Sequence, residues 1–229
     1  MSLPRLALQD PGNPWFSRQY LEDNADTIMA ALRGHVSFTA QAVLIAALIA
    51  IPLAVVGYWF RPLTGPILAL SGVLYTIPSL ALLAFLAPVL GPTNPRAVLV
   101  ALVLYALLLI VRNTLTGLNQ VPDDVRDAAE GMGYGRFARL WRIELPLAVP
   151  SIITGLRLAT VSTVALVTVG AIMGQGQLGQ LILDGFRNNF YRAEIATGTV
   201  LCVVLALVLD LLLSGLGRAL TPWTRRRAA

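Results

Sequence analysis

The sequence predicts an all-α polytopic membrane protein with five core transmembrane helices. Three observations carry that expectation. Of 229 residues, 56% are hydrophobic and 13% are charged, about half the charge of a soluble domain. The apolar residues gather into five long stretches almost free of charge, each close to the ~20 residues that a spanning helix needs. Between the third and fourth stretches lies a polar segment, 119–146, too rich in charge to enter hydrocarbon.

Residues 1–35 are polar, with Trp15, Phe16, Tyr20, Ile28 and Met29 interspersed. They read as an extracytoplasmic, interfacial segment ahead of the first span, without the basic-then-apolar pattern of a signal peptide. The first span covers about 36–60. The second, about 65–87, contains Pro66 and Pro78 and reads as one kinked helix, because membrane helices tolerate proline where neighbours re-satisfy the freed carbonyls. An exposed turn, Gly91 to Pro95, follows. The third span, about 97–117, is interrupted only by Arg112, the fourth, about 147–172, only by Arg157, and the fifth, about 195–217, only by Asp210. These spans and their connections form a transmembrane domain over 36–218, and 219–229 is a basic tail. With the N-terminus outside, Arg61, Arg126, Arg136, Arg139, Arg142, Arg218 and Arg225 to Arg227 lie inside. Arg5, Arg18, Arg33, Arg96, Arg187 and Arg192 lie outside. The excess of inside arginine favours N-out, C-in. Trp15, Trp59, Trp141 and Trp223 fall near the predicted interfaces, where aromatic belts form.

All 17 basic residues are arginine. Without lysine there is no Walker A phosphate loop and no Schiff-base chemistry, so ATP, if used, is bound by another chain. The net charge of +5 is explained by orientation in a bilayer rather than by nucleic acid. Lone Cys202 has no intrachain disulfide partner. His35 lacks neighbours at ligand spacing. Neither a metal nor a cofactor is expected on this chain.

The polar segment carries the most information. Pro122 stops what precedes it, and Asp123 and Asp124 open a helix as first-turn acids should. Ala128, Ala129 and Met132 give one small, smooth face. Gly131, Gly133 and Gly135 break the helix. A second helix follows, with Phe137, Leu140, Trp141 and Glu144 expected on one side, and Pro146 begins the fourth span. Residue chemistry alone leaves two readings open: a docking surface for another protein, or a hairpin lying on the lipid headgroups.

Asp127-Ala128-Ala129, three residues, Gly133, nine residues, then Ile143-x-Leu145-Pro146 resembles the EAA signature of ABC importer permeases, usually E-A-A-x3-G-x9-I-x-L-P. Every spacing agrees; Asp127 stands where glutamate is usual, keeping the charge and shortening its reach. Further stretches, Tyr75 to Leu83, Leu104 to Thr114 and Gly170 to Gly179, are similar to the glycine betaine/choline branch of that family. The resemblance covers most of 36–218. It implies a five-span permease fold in a prokaryotic inner membrane, with Asp127, Ala128, Ala129, Gly133, Ile143, Leu145 and Pro146 docking a cytoplasmic ATPase subunit that holds ATP and magnesium. It further implies an extracytoplasmic substrate-binding protein, a second permease copy forming a two-fold path, and alternating access for a quaternary ammonium osmoprotectant. An amino acid such as methionine is the runner-up substrate. A stand-alone secondary transporter would need inverted repeats, and no second copy of the Pro78 or Asp127–Pro146 patterns is present.

Other residues carry weaker expectations. Gly174-x-Gly176-x-x-Gly179 matches a dinucleotide fingerprint in letters only, since it leaves an apolar span rather than a strand. It reads either as part of an outer gate and binding-protein platform or as an ordinary turn. Tyr75, Pro78, Ser79 and Asn113 are candidates to line a path, and Ser, Thr and Asn equally join membrane helices by hydrogen bonds; Thr114 reads as such glue. Arg112, Arg157 and Asp210 could meet on the inner half of the bundle. An unpaired charge in hydrocarbon is expensive, so Asp210 is expected to pair with Arg157 or Arg112, as a static pair or as a network that changes partners during transport.

Overall fold

The computed structural model describes residues 12–223, so the first eleven residues and most of the basic tail, 224–229, lie outside the described residues. Those described are helical, with no strand among them. Helix α1 (Arg18–Asp23) starts where the Ser17 hydroxyl accepts from the Tyr20 N–H, and α2 (Ala25–Trp59) follows at once. At ~1.5 Å per residue, its 35 residues outrun a hydrocarbon core of ~30 Å, so one end projects beyond the bilayer. The sequence places residues 25–35 in a separate interfacial segment. They instead extend the first span, because Ile28, Ala31 and Leu32 pack on a cluster formed by Val164, Leu178, Leu181 and Leu205.

The second span differs more. It consists of α3 (Arg61–Thr76) and α4 (Ser79–Leu90), bent by 93°, rather than one kinked helix. The residue before a proline is pushed out of the helical region. Here both Ile77 and Pro78 are extended, at ψ 126° and 133°. The carbonyl of Ile77 leaves the helical ladder and accepts from the Tyr105 hydroxyl. A partner from another helix thus stabilises the open corner.

Helix α5 (Pro95–Asn119) opens with Pro95 in its first turn and an Asn94 cap bonded to the Arg96 N–H. It is the centre of the molecule, packed between α2 and α8. Helix α2 presents it a stripe of small residues, Ala42, Ala46, Ala50 and Ala54, all fully buried. Small residues are how membrane helices come close without a hydrophobic driving force. The polar segment forms α6 (Asp123–Gly131) and α7 (Arg136–Arg139). Next comes a π-helical turn, Leu140–Glu144, that runs directly into α8 (Leu145–Val169). A 3-10 turn, Gly170–Met173, precedes α9 (Leu178–Arg187) and α10 (Arg192–Leu220). Helix α10 packs on α8 and α9 and exposes Val203, Leu207, Leu211 and Leu212, an apolar surface suited to lipid. Among the described residues, four helices (α2, α5, the continuous α7–α8 rod and α10) are long and apolar enough to cross a membrane, and the bent α3–α4 pair, taken as one broken span, brings the number to five.

Candidate functional site

Helix α6 stands off the end of the bundle, fixed by charge rather than by a deep apolar face. Ala129 is fully buried, while Asp127, Ala128 and Glu130 are exposed. Met132 at 68% exposure extends the outward surface past the helix end. Gly133, at φ 84°, makes the turn, a backbone position that a side chain rarely tolerates. Ile143, Leu145 and Pro146 are half-buried where the hairpin meets α8. The signature residues therefore split. Asp127 and Ala128 face outward, Gly133 shapes the turn, and the others form the root.

That root is held by an ion cluster that the sequence reading missed. The Glu144 carboxylate is 1% exposed and accepts from Arg139 Nε at 3.0 Å. Arg126 Nε lies 3.9 Å from the same oxygen, and its Nη2 donates to the Leu118 carbonyl at 3.0 Å. Arg126 also covers the Tyr58 ring, 5.7 Å from its centroid. Arg139 Nη1 continues to Glu130 at 3.1 Å. Glu144 thus ties α6 and α7 to the end of the first span and the start of the fourth. Glu144 was expected to share a face with Phe137, Leu140 and Trp141. In the structure Leu140 and Glu144 are buried, whereas Phe137 and Trp141 are exposed. The π-helical turn winds the chain too widely for the four to share one stripe.

Within the spans, Asp210 and Arg157 form a two-pronged pair, with Arg157 Nε to Oδ1 at 2.8 Å and Nη2 to Oδ2 at 2.7 Å. This fork geometry is the strongest a carboxylate can make with arginine. The pair lines an open groove of about 420 Å³ with Thr154, Leu158, Val161 and Leu207. Arg112 does not join it. It is exposed on α5 and has no ion-pair partner among the described residues, and α10 packs chiefly on α8 and α9.

The weaker candidates are scattered. Tyr75 and Pro78 are exposed and Ser79 is half-buried at the α3–α4 corner, where Tyr75 meets Tyr105 edge to face at 5.9 Å. Asn113 turns its amide onto its own helix, donating to the Leu109 carbonyl at 2.7 Å. Thr114 is buried without a hydrogen-bond partner for its hydroxyl, so it supplies packing rather than the bond expected of it.

At the opposite end, Gly174 sits at φ 70°. A Cβ on Gly176 would strike Ala171, and one on Gly179 would strike the Thr168 backbone. These glycines let the 3-10 turn and α9 fold tightly back. Gln175 joins this turn to the Thr93 carbonyl at 3.1 Å. Beside it, Asn13 bonds to the Phe190 carbonyl and to the Arg192 N–H, and Tyr20 stacks edge-on against Tyr191 at 5.4 Å. Burial, and then the Glu194 carboxylate, push the Tyr20 phenol up to about 12, so it remains a proton donor at neutral pH. Gly174, Gly176 and Gly179 thus belong to a knitted end-cap that Arg112, Arg157 and Asp210 do not reach.

Comparison with known proteins agrees with this geometry. Residues 42–226 match the family described as "Binding-protein-dependent transport system inner membrane component". The chain is 35% identical over 208 residues to the choline transport system permease protein OpuBD of Bacillus subtilis, covering 91% of this chain and 92% of that one. It is 36% identical over 207 residues to the osmoprotectant import permease protein OsmW of Salmonella typhimurium, covering 89% and 96%. An inward-facing structure of the MetNI methionine ABC transporter superposes with a TM-score of 0.76 at 22% identity. That match covers 90% of this chain and all of that one, a likeness of fold alone. A bundle with four to five helices apolar enough to cross a membrane, a standing hairpin with the spaced signature and a match over most of the chain lead to one conclusion: this protein belongs to the binding-protein-dependent transport system inner membrane component family.

Proposed function

We propose that this chain is the membrane permease subunit of an ATP-driven importer for a quaternary ammonium osmoprotectant of the glycine betaine, choline or carnitine type. The observation that carries the reading is the run of relatives named for these compounds, at 31–36% identity over about nine-tenths of the chain. The chain works as a non-enzymatic transport subunit in the membrane. In this reading the N-terminus is outside and the hairpin cytoplasmic. Two copies face each other across the path, a binding protein meets the knitted end-cap, and two ATPase subunits, carrying ATP and magnesium, grip the outward face of α6. Closure of the ATPase pair favours one permease conformation, and that differential binding is what shifts the equilibrium. The exposed Asp127 and Ala128 suit this role, because small residues and a short acid allow close approach.

The test is uptake into proteoliposomes holding the permease together with an ATPase subunit and a binding protein of the same importer class. Labelled betaine, choline or carnitine should accumulate only with ATP, and methionine should not. ATP-driven methionine uptake alone would replace the substrate assignment. Uptake without the ATPase would end the importer reading altogether. A second expectation concerns the ion pair in the groove. Asp210→Asn strips Arg157 of its two-pronged partner, so transport per folded molecule should fall several-fold if the pair changes partners during the cycle. A normal rate from the folded fraction would make the pair purely structural.

A further inference from the structure

On the hairpin side of the bundle, the end of α2, the start of α3 and the root of the hairpin enclose an open cavity of about 460 Å³, within the size range of small-ligand sites. Four arginines line it: Arg61, Arg126, Arg136 and Arg139. Two of them are committed elsewhere. Arg126 and Arg139 are bound to carboxylates, chiefly buried Glu144 and exposed Asp123 and Glu130. The other two are not. Among the described residues Arg136 reaches only the Trp59 carbonyl, at 3.4 Å, and Arg61 has no ion-pair partner. The cavity therefore keeps an excess of positive charge, and its free guanidinium groups suit a phosphate, whose oxygens accept from arginine two at a time.

The surroundings identify the phosphate's carrier. Trp59 ends the first span, which puts the cavity at the membrane boundary. Phe137 lies 6.5 Å from the Trp59 ring, and Trp141 lies 6.1 Å from Phe137. Phe137 and Trp141 are 66% and 59% exposed, and Phe60 beside Arg61 is 56% exposed. Exposed aromatic rings in a row at the end of a span belong at headgroup depth. A soluble anion would use the arginines and leave this row facing water. A lipid uses both, with its phosphate among the arginines and its glycerol and upper acyl carbons along the rings. Basic pockets between spanning helices are suited to anionic headgroups. We propose that this cavity is a binding site for an anionic phospholipid, held by Arg61 and Arg136 through its phosphate and by the Trp59–Phe137–Trp141 row through its chains. Because the site joins the root of the hairpin to the first span, an occupying lipid braces the hairpin against the bundle. The assignment does not depend on which solute the chain carries.

The test uses the full chain in nanodiscs of phosphatidylcholine containing a minor fraction of phosphatidylglycerol. A Trp15→Phe/Trp223→Phe background leaves Trp59 and Trp141 as the only reporters. Acyl chains brominated on phosphatidylglycerol should quench them more than the same chains on phosphatidylcholine, with a preference of roughly twenty-five-fold, since each of the two arginines contributes a factor of about five toward an anionic lipid. Arg61→Gln/Arg136→Gln should abolish the preference. Arg61→Lys/Arg136→Lys should keep most of it, which separates lost charge from lost folding. Equal quenching by the two lipids in the wild type overturns the proposal. So does displacement of phosphatidylglycerol by millimolar inorganic phosphate at constant ionic strength, which would mark a soluble-anion site. An unchanged lipid preference in the glutamine variant, with loss of the co-purifying ATPase, would assign these arginines to a protein contact instead.

Discussion

Replacing Glu144 by alanine is expected to cost about 3–5 kcal/mol, the range for removing one partner from a buried ion pair, and to detach the hairpin from the bundle. The carboxylate is 1% exposed, with Arg139 at 3.0 Å and Arg126 at 3.9 Å. Without it two guanidinium groups converge on a space that holds no anion. Their remaining charged partners, Asp123 and Glu130, are 88% and 75% exposed, and such surface pairs contribute little. Alanine should therefore lower the unfolding temperature and, in the assembled transporter, reduce ATPase retention far more than it reduces insertion of the chain. Glu144→Gln keeps an oxygen acceptor for Arg139 and should fall between. The measurements are thermal unfolding followed by tryptophan fluorescence and co-purification of the ATPase. If alanine left both unchanged, the hairpin would have to be held by Ala129, Leu140 and the Arg126 and Arg136 bonds to the Leu118 and Trp59 carbonyls.

Different parts of this structure were legible to different degrees, for physical reasons. The five apolar stretches were readable because hydrocarbon thickness sets their length, and the hairpin because its signature has fixed spacing. The pairing of Asp210 with an arginine followed from the cost of a lone charge, though choosing Arg157 over Arg112 required knowing that α10 packs on α8. The right-angled corner at Ile77–Pro78 was visible only as a kink. Its size depends on the Tyr105 hydroxyl, which arrives from another helix and caps the freed carbonyl. The central role of Glu144 was hidden by the π-helical turn. A regular helix would set Phe137, Leu140, Trp141 and Glu144 on one stripe, and nothing in the local sequence announces the wider turn. Likewise, residues 25–35 look polar in isolation, and only α8, α9 and α10 give Ile28, Ala31 and Leu32 something to pack on.

Gly155→Leu is the second large expected effect, and it tests how the central helices are joined. Gly155 of α8 lies directly against α5. A Cβ there would fall 2.7 Å from the Asn113 Cβ and 3.1 Å from the Leu109 carbonyl oxygen. Gly117 of α5 makes the reciprocal approach, its Cβ position 2.7 Å from the Ser151 Cβ and 3.0 Å from the Ala148 oxygen. The two helices are thus seated at two glycine contacts, one on each. The groups opposite them include backbone, which cannot swing aside as a long side chain can. Overpacking a tight core costs about 1–3 kcal/mol and sometimes more, and Gly155→Leu should exceed that range because the added atoms meet a carbonyl on the rigid central helix. Gly155→Ala should cost less. It still requires α5 and α8 to part by several tenths of an ångström, offset in part by alanine's better helix propensity, worth about 0.8–1 kcal/mol over glycine. Gly215, which has nothing within 4 Å of its Cβ position, is the control. Gly215→Leu on the outer helix should leave unfolding temperature and yield unchanged. If Gly155→Leu and Gly215→Leu behaved alike, the α5–α8 seam would be loose enough to absorb a leucine. The tight central pair, on which both the hairpin root and the Arg157–Asp210 groove are mounted, would then have to be abandoned as the rigid frame of the molecule.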